Sequence, residues 1–210
     1  MFSSSKYRNR KALIMCNDMK SCQEDIFRLE KILNFFNFDV TKRIHCYPKR
    51  EIEKYLQKEN LGEEKLGKDD LLYIHYSGHG LKRGKRVENE YKLLSTWINP
   101  NGSVTFSTEI DDILSKLSCK IILTTDSCHS STFADNFKKS LANSLIFIGT
   151  SKISEKSKTY VINGEPAHGS LIYLFEDLMK KELDINIENI ENSKFFQENN
   201  IDTKLIIKIF

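Results

Sequence analysis

The chain has no strong excess of either charge: 32 Lys and Arg stand against 29 Asp and Glu, a net +3. That balance gives no general case for nucleic acid or for an anionic membrane as partner. Long apolar runs are also missing. No stretch approaches the roughly 20 residues that a membrane-crossing helix needs, and Met1–Lys11 is polar and basic, unlike a secretory leader. No CxxC pair is present that would suggest zinc. The five cysteines (Cys16, Cys22, Cys46, Cys119, Cys128) are odd in number and are not spaced as a disulfide framework. Reduced thiols in an intracellular, cytoplasmic setting are the simplest expectation. Internal repeats and low-complexity linkers are absent too. At 210 residues the chain is expected to form one domain over 11–210, after a polar, frayed tail at 1–10.

Two stretches stand out. Ile121–Thr125 is an apolar, partly β-branched run that ends in Asp126-Ser127-Cys128-His129-Ser130-Ser131. Leu71–Tyr76 is a second apolar run, ending in Ser77-Gly78-His79-Gly80. Buried strands read this way when they deliver functional groups to a sheet edge. The two are predicted to be neighbours, with Cys128 and His79 side by side.

With these two included, strands are predicted at Lys11–Asn17, Phe38–Cys46, Asp69–Ser77, Cys119–Thr125, Ser144–Thr150 and Thr203–Ile209. Helical spacing of Ile26, Leu29, Ile32, Leu33 and Phe36 predicts a helix over 24–37, and Leu171, Leu174, Phe175 and Leu178 predict another over 170–183. Pro48 opens a third helix, and Ser107 or Thr108 caps a short one through Leu117. A short helix is expected within 132–143 and a mobile loop over 151–168, while 184–202 is weakly determined. Tyr91–Ile98 and Ser103–Phe106 read as a hairpin around Asn99-Pro100-Asn101-Gly102, with Trp97 and Phe106 packing it. Alternating strands and helices imply an α/β fold: a three-layer sandwich with a mostly parallel sheet of about six strands and helices on both faces.

Cysteine next to histidine suggests nucleophilic catalysis. A free thiol has a pKa of roughly 8.5, so a partner that favours the thiolate helps. His79 would take that proton and later return one to the leaving amine. Backbone N–H groups of Gly80 and Cys128 are candidate oxyanion donors. Glycines on either side of His79 remove bulk and permit unusual backbone angles.

His79 precedes Cys128 by 49 positions (128 minus 79), and a histidine about 50 residues upstream of the cysteine is also the caspase arrangement. Tyr76-Ser77-Gly78-His79-Gly80 and Asp126-Ser127-Cys128-His129-Ser130 resemble the paired motifs of metacaspases; the caspase Gln-Ala-Cys form is absent. Lys11–Asn17 followed by Ser21-Cys22-Gln23-Glu24-Asp25 is similar to that family's first strand and the segment after it. His168-Gly169-Ser170 is similar to its late loop-to-helix junction. The resemblance covers about residues 11–183.

It implies a caspase-like fold, with Cys128 as nucleophile and His79 as general base and acid. It also implies an acidic specificity pocket of Asp126 and Asp25 with Ser77 nearby, so that Arg or Lys precedes the cleaved bond. Carboxylates in a partly enclosed pocket favour such cations. Caspases instead bind aspartate through arginine; no motif arginine stands in that place here, and Arg8, Arg10 and Arg28 are the remaining candidates for it. Protein or peptide substrates follow, with no nucleic acid, no membrane and a monomer favoured over a dimer. The sequence begins without a prodomain, so recruitment through one is not expected. Many family members use calcium held by an acidic loop after the histidine. Here that loop is Lys82-Arg83-Gly84-Lys85-Arg86 followed by Glu88 and Glu90. No cofactor is therefore required, no metal site is assigned, and calcium remains a candidate activator with Asp111, Asp112 and Asp135 as alternative ligands. Ser131 stands where the family commonly has glycine.

Blander readings compete at several positions. Asp126 could cap backbone N–H groups, and Asp25 could sit on a solvated first helical turn. Cys16, Cys46 and Cys119 read as small core residues, and Cys22 matches a family cysteine without a required role. His75 packs within its strand and His129 orders its loop. Lys82–Arg86 reads most simply as a solvated loop, with self-cleavage there (or at Lys138-Lys139 or in 152–158) and a weak anion-binding patch as alternatives. Thr203–Ile209 is an edge strand open to pairing with another chain. The whole chain could also be an inactive caspase-like binding or regulatory module, or an active protease of another preference.

Overall fold

The apolar runs form the centre of the molecule. A computed structural model describes residues 7–17, 20–61, 66–87, 89–137, 145–150, 159–160, 168–183, 185, 187–199 and 205–210. Six strands make one sheet: β1 (Arg10–Cys16), β2 (Asp39–Ile44), β3 (Leu71–Ser77), β7 (Lys120–Asp126), β8 (Leu145–Gly149) and β11 (Ile206–Ile209), in the order β11-β8-β7-β3-β1-β2. Neighbours are parallel, except that β11 runs antiparallel to β8. Strands β3 and β8 are buried at every residue, as expected of central strands covered on both faces.

Alternation along the strands sorts side chains to two cores. On one face Ala12, Ile14, Tyr73 and Ile122 pack against Ile26, Leu29 and Leu33 of α1 (Lys20–Phe35) and Leu171, Leu174 and Phe175 of α4 (Ser170–Lys180). Two short helices, α5 (Ile187–Asn192) and α6 (Phe195–Glu198), add Ile190 and Phe195 to that core in the weakly determined 184–202 segment. On the other face Leu13, Leu72, Ile74 and Ile121 pack against Ile52 and Tyr55 of α2 (Pro48–Leu61) and Ile110 and Leu114 of α3 (Ser107–Leu114). Each such fully buried aliphatic side chain contributes about 1.5–3 kcal/mol of hydrophobic free energy. The result is the expected helix–sheet–helix sandwich.

A second, three-stranded sheet lies beside it: β4 (Gly80–Val87), β5 (Glu90–Ile98) and β6 (Val104–Phe106), all antiparallel. The predicted hairpin is its β5–β6 half. The basic segment Lys82–Arg86 is not a loop. It is the middle of β4 and pairs with β5 over its full length, from Gly80↔Trp97 to Val87↔Glu90. GLKRGKRV lacks the apolar alternation that marks a half-buried strand. Cross-strand bonding therefore sets its conformation, and Asn89, left-handed at φ 68°, helps turn the chain into β5. Ring stacking joins the two sheets. Trp97 of β5 lies between Tyr76 of β3 at 4.5 Å and Phe133 at 4.4 Å, the latter on a 3-10 helix (Ser130–Asn136) that replaces part of the helix expected in 132–143. A two-stranded ladder of β9 (Thr159–Tyr160) and β10 (His168–Gly169) precedes α4.

Two expectations change. Cys16 and Cys22 are joined by a disulfide six positions apart, so these two are not independent thiols. Their spacing carries no signature of pairing; the bond joins the end of β1 to the first turn of α1. Arg8 and Asn9 are also not part of a frayed tail. The buried Asp70 carboxylate accepts bonds from Arg8 Nε and Nη2 (3.2 and 3.0 Å) and from the Asn9 backbone (3.2 Å). Burial alone would raise the Asp70 pKa, but these bonds and that of the Gly67 N–H hold it below the ordinary value. The self-cleavage candidates Lys138-Lys139 and 152–158 lie outside the described residues.

Candidate active site

Register places the site residues. Across the carboxyl edge of the main sheet, Cys16 pairs with Ser77 and Ser77 with Asp126. The Gly78 N–H continues this row by donating to the Asp126 carbonyl at 3.3 Å. Gly78 has φ +154°, and a Cβ there would meet the Tyr76 hydroxyl at 2.8 Å. Beyond it the chain passes so close to the second strand end that a Cβ on Gly80 would overlap the Cys128 carbonyl oxygen. His79 and Cys128 therefore stand on backbones in direct contact, at the strand ends where the sequence places them. His79 is exposed and Cys128 partly exposed.

Buried polar groups that the sequence did not single out hold the histidine segment. The Tyr76 hydroxyl donates to the His79 carbonyl at 3.0 Å, and that carbonyl also accepts the Ile98 N–H at 3.0 Å. Asn17 ties the ends of β1, β3 and β5 together. Its N–H reaches the Ser77 carbonyl (3.1 Å), its Nδ2 the Ile98 carbonyl (2.9 Å), and its Oδ1 accepts the Cys46 N–H (2.7 Å). Tyr76 lies inside the histidine motif and was legible there. Nothing in the sequence around Asn17 marks it.

The cysteine sits on a tight turn. The Ser130 N–H donates to the Ser127 carbonyl (3.3 Å), and His129 is left-handed at φ 59°. Hydroxyls of Ser95 and Thr132 donate to the His129 carbonyl at 3.1 and 3.2 Å and lie against each other. Trp97 Nε1 donates to the Thr125 hydroxyl (3.2 Å), which in turn is 2.9 Å from the Ser127 hydroxyl. His129 thus orders the loop through its backbone. Among the free cysteines, Cys46 and Cys119 are buried, which pushes both thiols up to about 12, while Cys128 alone reaches the surface. The Ser131 side chain lies outside the described residues.

Asp126, Ser77 and Asp25 lie on the α1–α4 side of this edge. Alternation from Tyr73 to Ser77 and from Ile122 to Asp126 puts both strand residues on that face. Asp126 accepts the Thr150 hydroxyl on Oδ1 (2.7 Å) and the Leu171 N–H, in the first turn of α4, on Oδ2 (3.3 Å). The capping role is therefore real. Asp25 is not on a solvated turn. It faces inward, is only 2% exposed, and follows the disulfide-bonded Cys22 by one helical turn. Directly below Ser77 on the same face, His75 Nδ1 lies 2.8 Å from Thr124 Oγ1; burial pushes its pKa down to about 3.

The arginines weighed as binders of an acidic substrate are engaged elsewhere: Arg8 with Asp70, Arg10 with the Phe36 carbonyl and Arg28 with Glu176. The calcium candidates do not converge. Asp111 is buried on α3, Asp112 is exposed on the same helix, Asp135 pairs with Lys208, and Glu90 pairs with Lys92 at 3.3 Å. Among the described residues no three His, Cys, Asp or Glu are grouped to hold a metal ion. Glu88 lies outside them. No described helix is long and apolar enough to cross a membrane.

Known proteins share features of this sequence and of this fold. Residues 6–137 match the family described as metacaspase, peptidase C14 domain. Metacaspase-7 of Arabidopsis thaliana is 25% identical over 156 residues, which cover 67% of this chain but only 37% of that protein. A Geobacter sulfurreducens protein solved by structural genomics superposes with a TM-score of 0.70 at 16% identity, covering 95% of this chain and 93% of the other. The Drosophila initiator caspase Dronc superposes with a TM-score of 0.51 at 15% identity, covering 87% of this chain and 70% of the caspase. The two superpositions identify the fold as caspase-like.

Proposed function

Because the chain belongs to the metacaspase, peptidase C14 family, we propose that it is a cysteine endopeptidase cutting proteins after Arg or Lys. The observation that supports this reading is the close approach of the Gly80 backbone to the Cys128 carbonyl, which brings the segment of the exposed His79 against that of Cys128, the free cysteine that reaches the surface. His79 takes the Cys128 proton, and the thiolate attacks the scissile carbonyl carbon. The resulting oxyanion accepts from the N–H groups of Gly80 and Cys128, each worth about 2.7–4 kcal/mol in the transition state. The imidazolium gives its proton to the leaving amine, and a thioester remains. Water, deprotonated by His79, then releases the carboxylic acid and regenerates the thiol. Asp126 and Asp25, both nearly buried, would flank a cationic side chain before the cleaved bond.

Hydrolysis of a fluorogenic peptide with Arg before the scissile bond should disappear in Cys128→Ala and in His79→Ala. Turnover that survives in both variants would remove the dyad. Asp126→Asn should lose Arg and Lys cleavage more than it loses labelling of Cys128 by a small electrophile. Equal loss of both would reduce Asp126 to its capping role. A folded parent that neither hydrolyses the peptide nor takes an electrophilic peptide probe at Cys128 would favour an inactive binding module.

A further inference from the structure

The base of the small sheet supports the site, and strand β4 forms its outer edge. Strand β4 begins one residue after His79, and its far side pairs with no strand among the described residues. Four of its eight residues are cations, Lys82, Arg83, Lys85 and Arg86, with no acid between them. None of the four forms an ion pair among the described residues; Lys85 lies over the Phe106 ring at 4.6 Å. Directly paired residues share a face, so Lys82, Gly84 and Arg86 stand beside Ser95, Leu93 and Tyr91. On that face Tyr91 is 81% and Leu93 63% exposed. The hydroxyl end of the Tyr91 ring lies over Gly84, where any Cβ would overlap it. A glycine in the strand thus makes room for a large, solvent-facing ring.

Lysine and proline on an edge strand usually serve to prevent pairing. Exposed Tyr and Leu on the same strand pair do the opposite, because they offer apolar surface that favours contact. The combination keeps out a second copy of this chain, whose β4 would bring four cations against four, and admits a strand of opposite charge.

We propose that the β4 edge docks an extended acidic segment of the protein substrate, with an apolar residue at its centre. Main-chain hydrogen bonds would continue the sheet, as in other strand additions. Carboxylates would lie opposite Lys82 and Arg83 on one side and Lys85 and Arg86 on the other, and the central apolar side chain opposite Gly84, on the Tyr91–Leu93 platform. The preferred segment therefore reads acid-acid-apolar-acid-acid. That this segment belongs to a substrate rests on the proteolytic reading; the docking itself does not.

The test uses the full Cys128→Ala chain and fluorescence anisotropy of a labelled peptide with the core Glu-Glu-Leu-Glu-Glu. Affinity should fall about tenfold or more when Gln replaces every Glu, and likewise in the Arg83→Gln/Arg86→Gln protein. It should fall several-fold when Ser replaces the central Leu and in Tyr91→Ala, and it should weaken with added salt. Thermal melting of each variant confirms that it is folded. Equal binding of the Glu and Gln peptides overturns the proposal. So does a single-stranded oligonucleotide that binds as tightly as the peptide while the Leu-to-Ser exchange changes nothing, because the edge would then be a general polyanion site. Since the tested protein lacks the nucleophile, failure of Arg-peptide hydrolysis in the parent would end the catalytic reading and leave the docking result standing.

Discussion

The two sheets solve different problems. The six-stranded sheet is buried on both faces and holds Asp126, Ser77 and His75 where water scarcely reaches. The three-stranded sheet has a buried base at Trp97 and Ser95 and an open, cationic tip at Arg86 and Tyr91. The first is held by apolar burial, and its buried polar groups are mostly partnered, as the Asp126 carboxylate is by Thr150 and Leu171, whereas His75 bonds through Nδ1 and has no partner at Nε2. The second is held by backbone pairing and by a single stack of rings at its root. Chemistry is therefore expected at the seam between them, where rigid strand ends meet a segment that remains accessible, and His79 and Cys128 lie there.

The most damaging way to separate the sheets is Trp97→Ala. It removes the middle ring of the stack and the donor to Thr125, and should cost about 3–5 kcal/mol in urea unfolding. A similar loss from Leu93→Ala would show that the small sheet is held along its length and not at its root.

Acid should act next, and on the main sheet alone. His75 has a folded pKa near 3, below its ordinary 6.5. Its neutral burial therefore contributes full stability above about pH 6.5, and this is lost as pH falls toward 3, at up to about 1.4 kcal/mol per pH unit. Between pH 6.5 and 4.5, before the ordinary carboxylate range is reached, stability of the parent should fall steadily, and His75→Gln should flatten the slope. An unchanged slope would mean that another group carries it.

Reducing the Cys16–Cys22 bridge, or replacing both residues by Ala, opens a loop six positions long and should cost about 2 kcal/mol. The loss should appear in thermal melts of the parent on adding a dithiol reductant, whereas the double Ala variant, already less stable, should show no further change with the reductant. Smaller still is Tyr76→Phe, which keeps the ring stack and removes only the hydroxyl that holds the His79 carbonyl. It should lower kcat about tenfold with KM and melting temperature nearly unchanged; a drop in melting temperature without a change in kcat would make that hydroxyl merely structural. Last, Leu93→Thr on the open tip should move stability by no more than about 0.5 kcal/mol.

The main sheet was legible because burial leaves a signature in composition. Leu71–Tyr76 and Ile121–Thr125 are apolar on both faces, and only central parallel strands require that. The same property exposed the site, since a polar cluster following such a run has to emerge at a strand end. Strand β4 left no such signature: cations fit a solvated loop as well as an exposed edge. The environment of Asp25 was equally hidden, because an acid early in a helix is favourable in water and equally at home facing inward toward a pocket. Asn17 was missed because a single amide after a strand says nothing about the three backbones it will bridge.

Local order along the chain thus determined the strands, the amphipathic helices and the placing of Cys128 and His79 just past two strand ends, since apolar period and motif spacing are properties of neighbours in sequence. Tertiary structure alone decided what depends on distant segments meeting: the Cys16–Cys22 bridge, the inward turn of Asp25, the double use of Asp126 by Thr150 and Leu171, and the conversion of a basic stretch into an edge strand by its register with β5. Their physical basis is shared. Each needs two groups far apart in sequence to be desolvated or hydrogen-bonded together, and no single segment carries that free energy by itself.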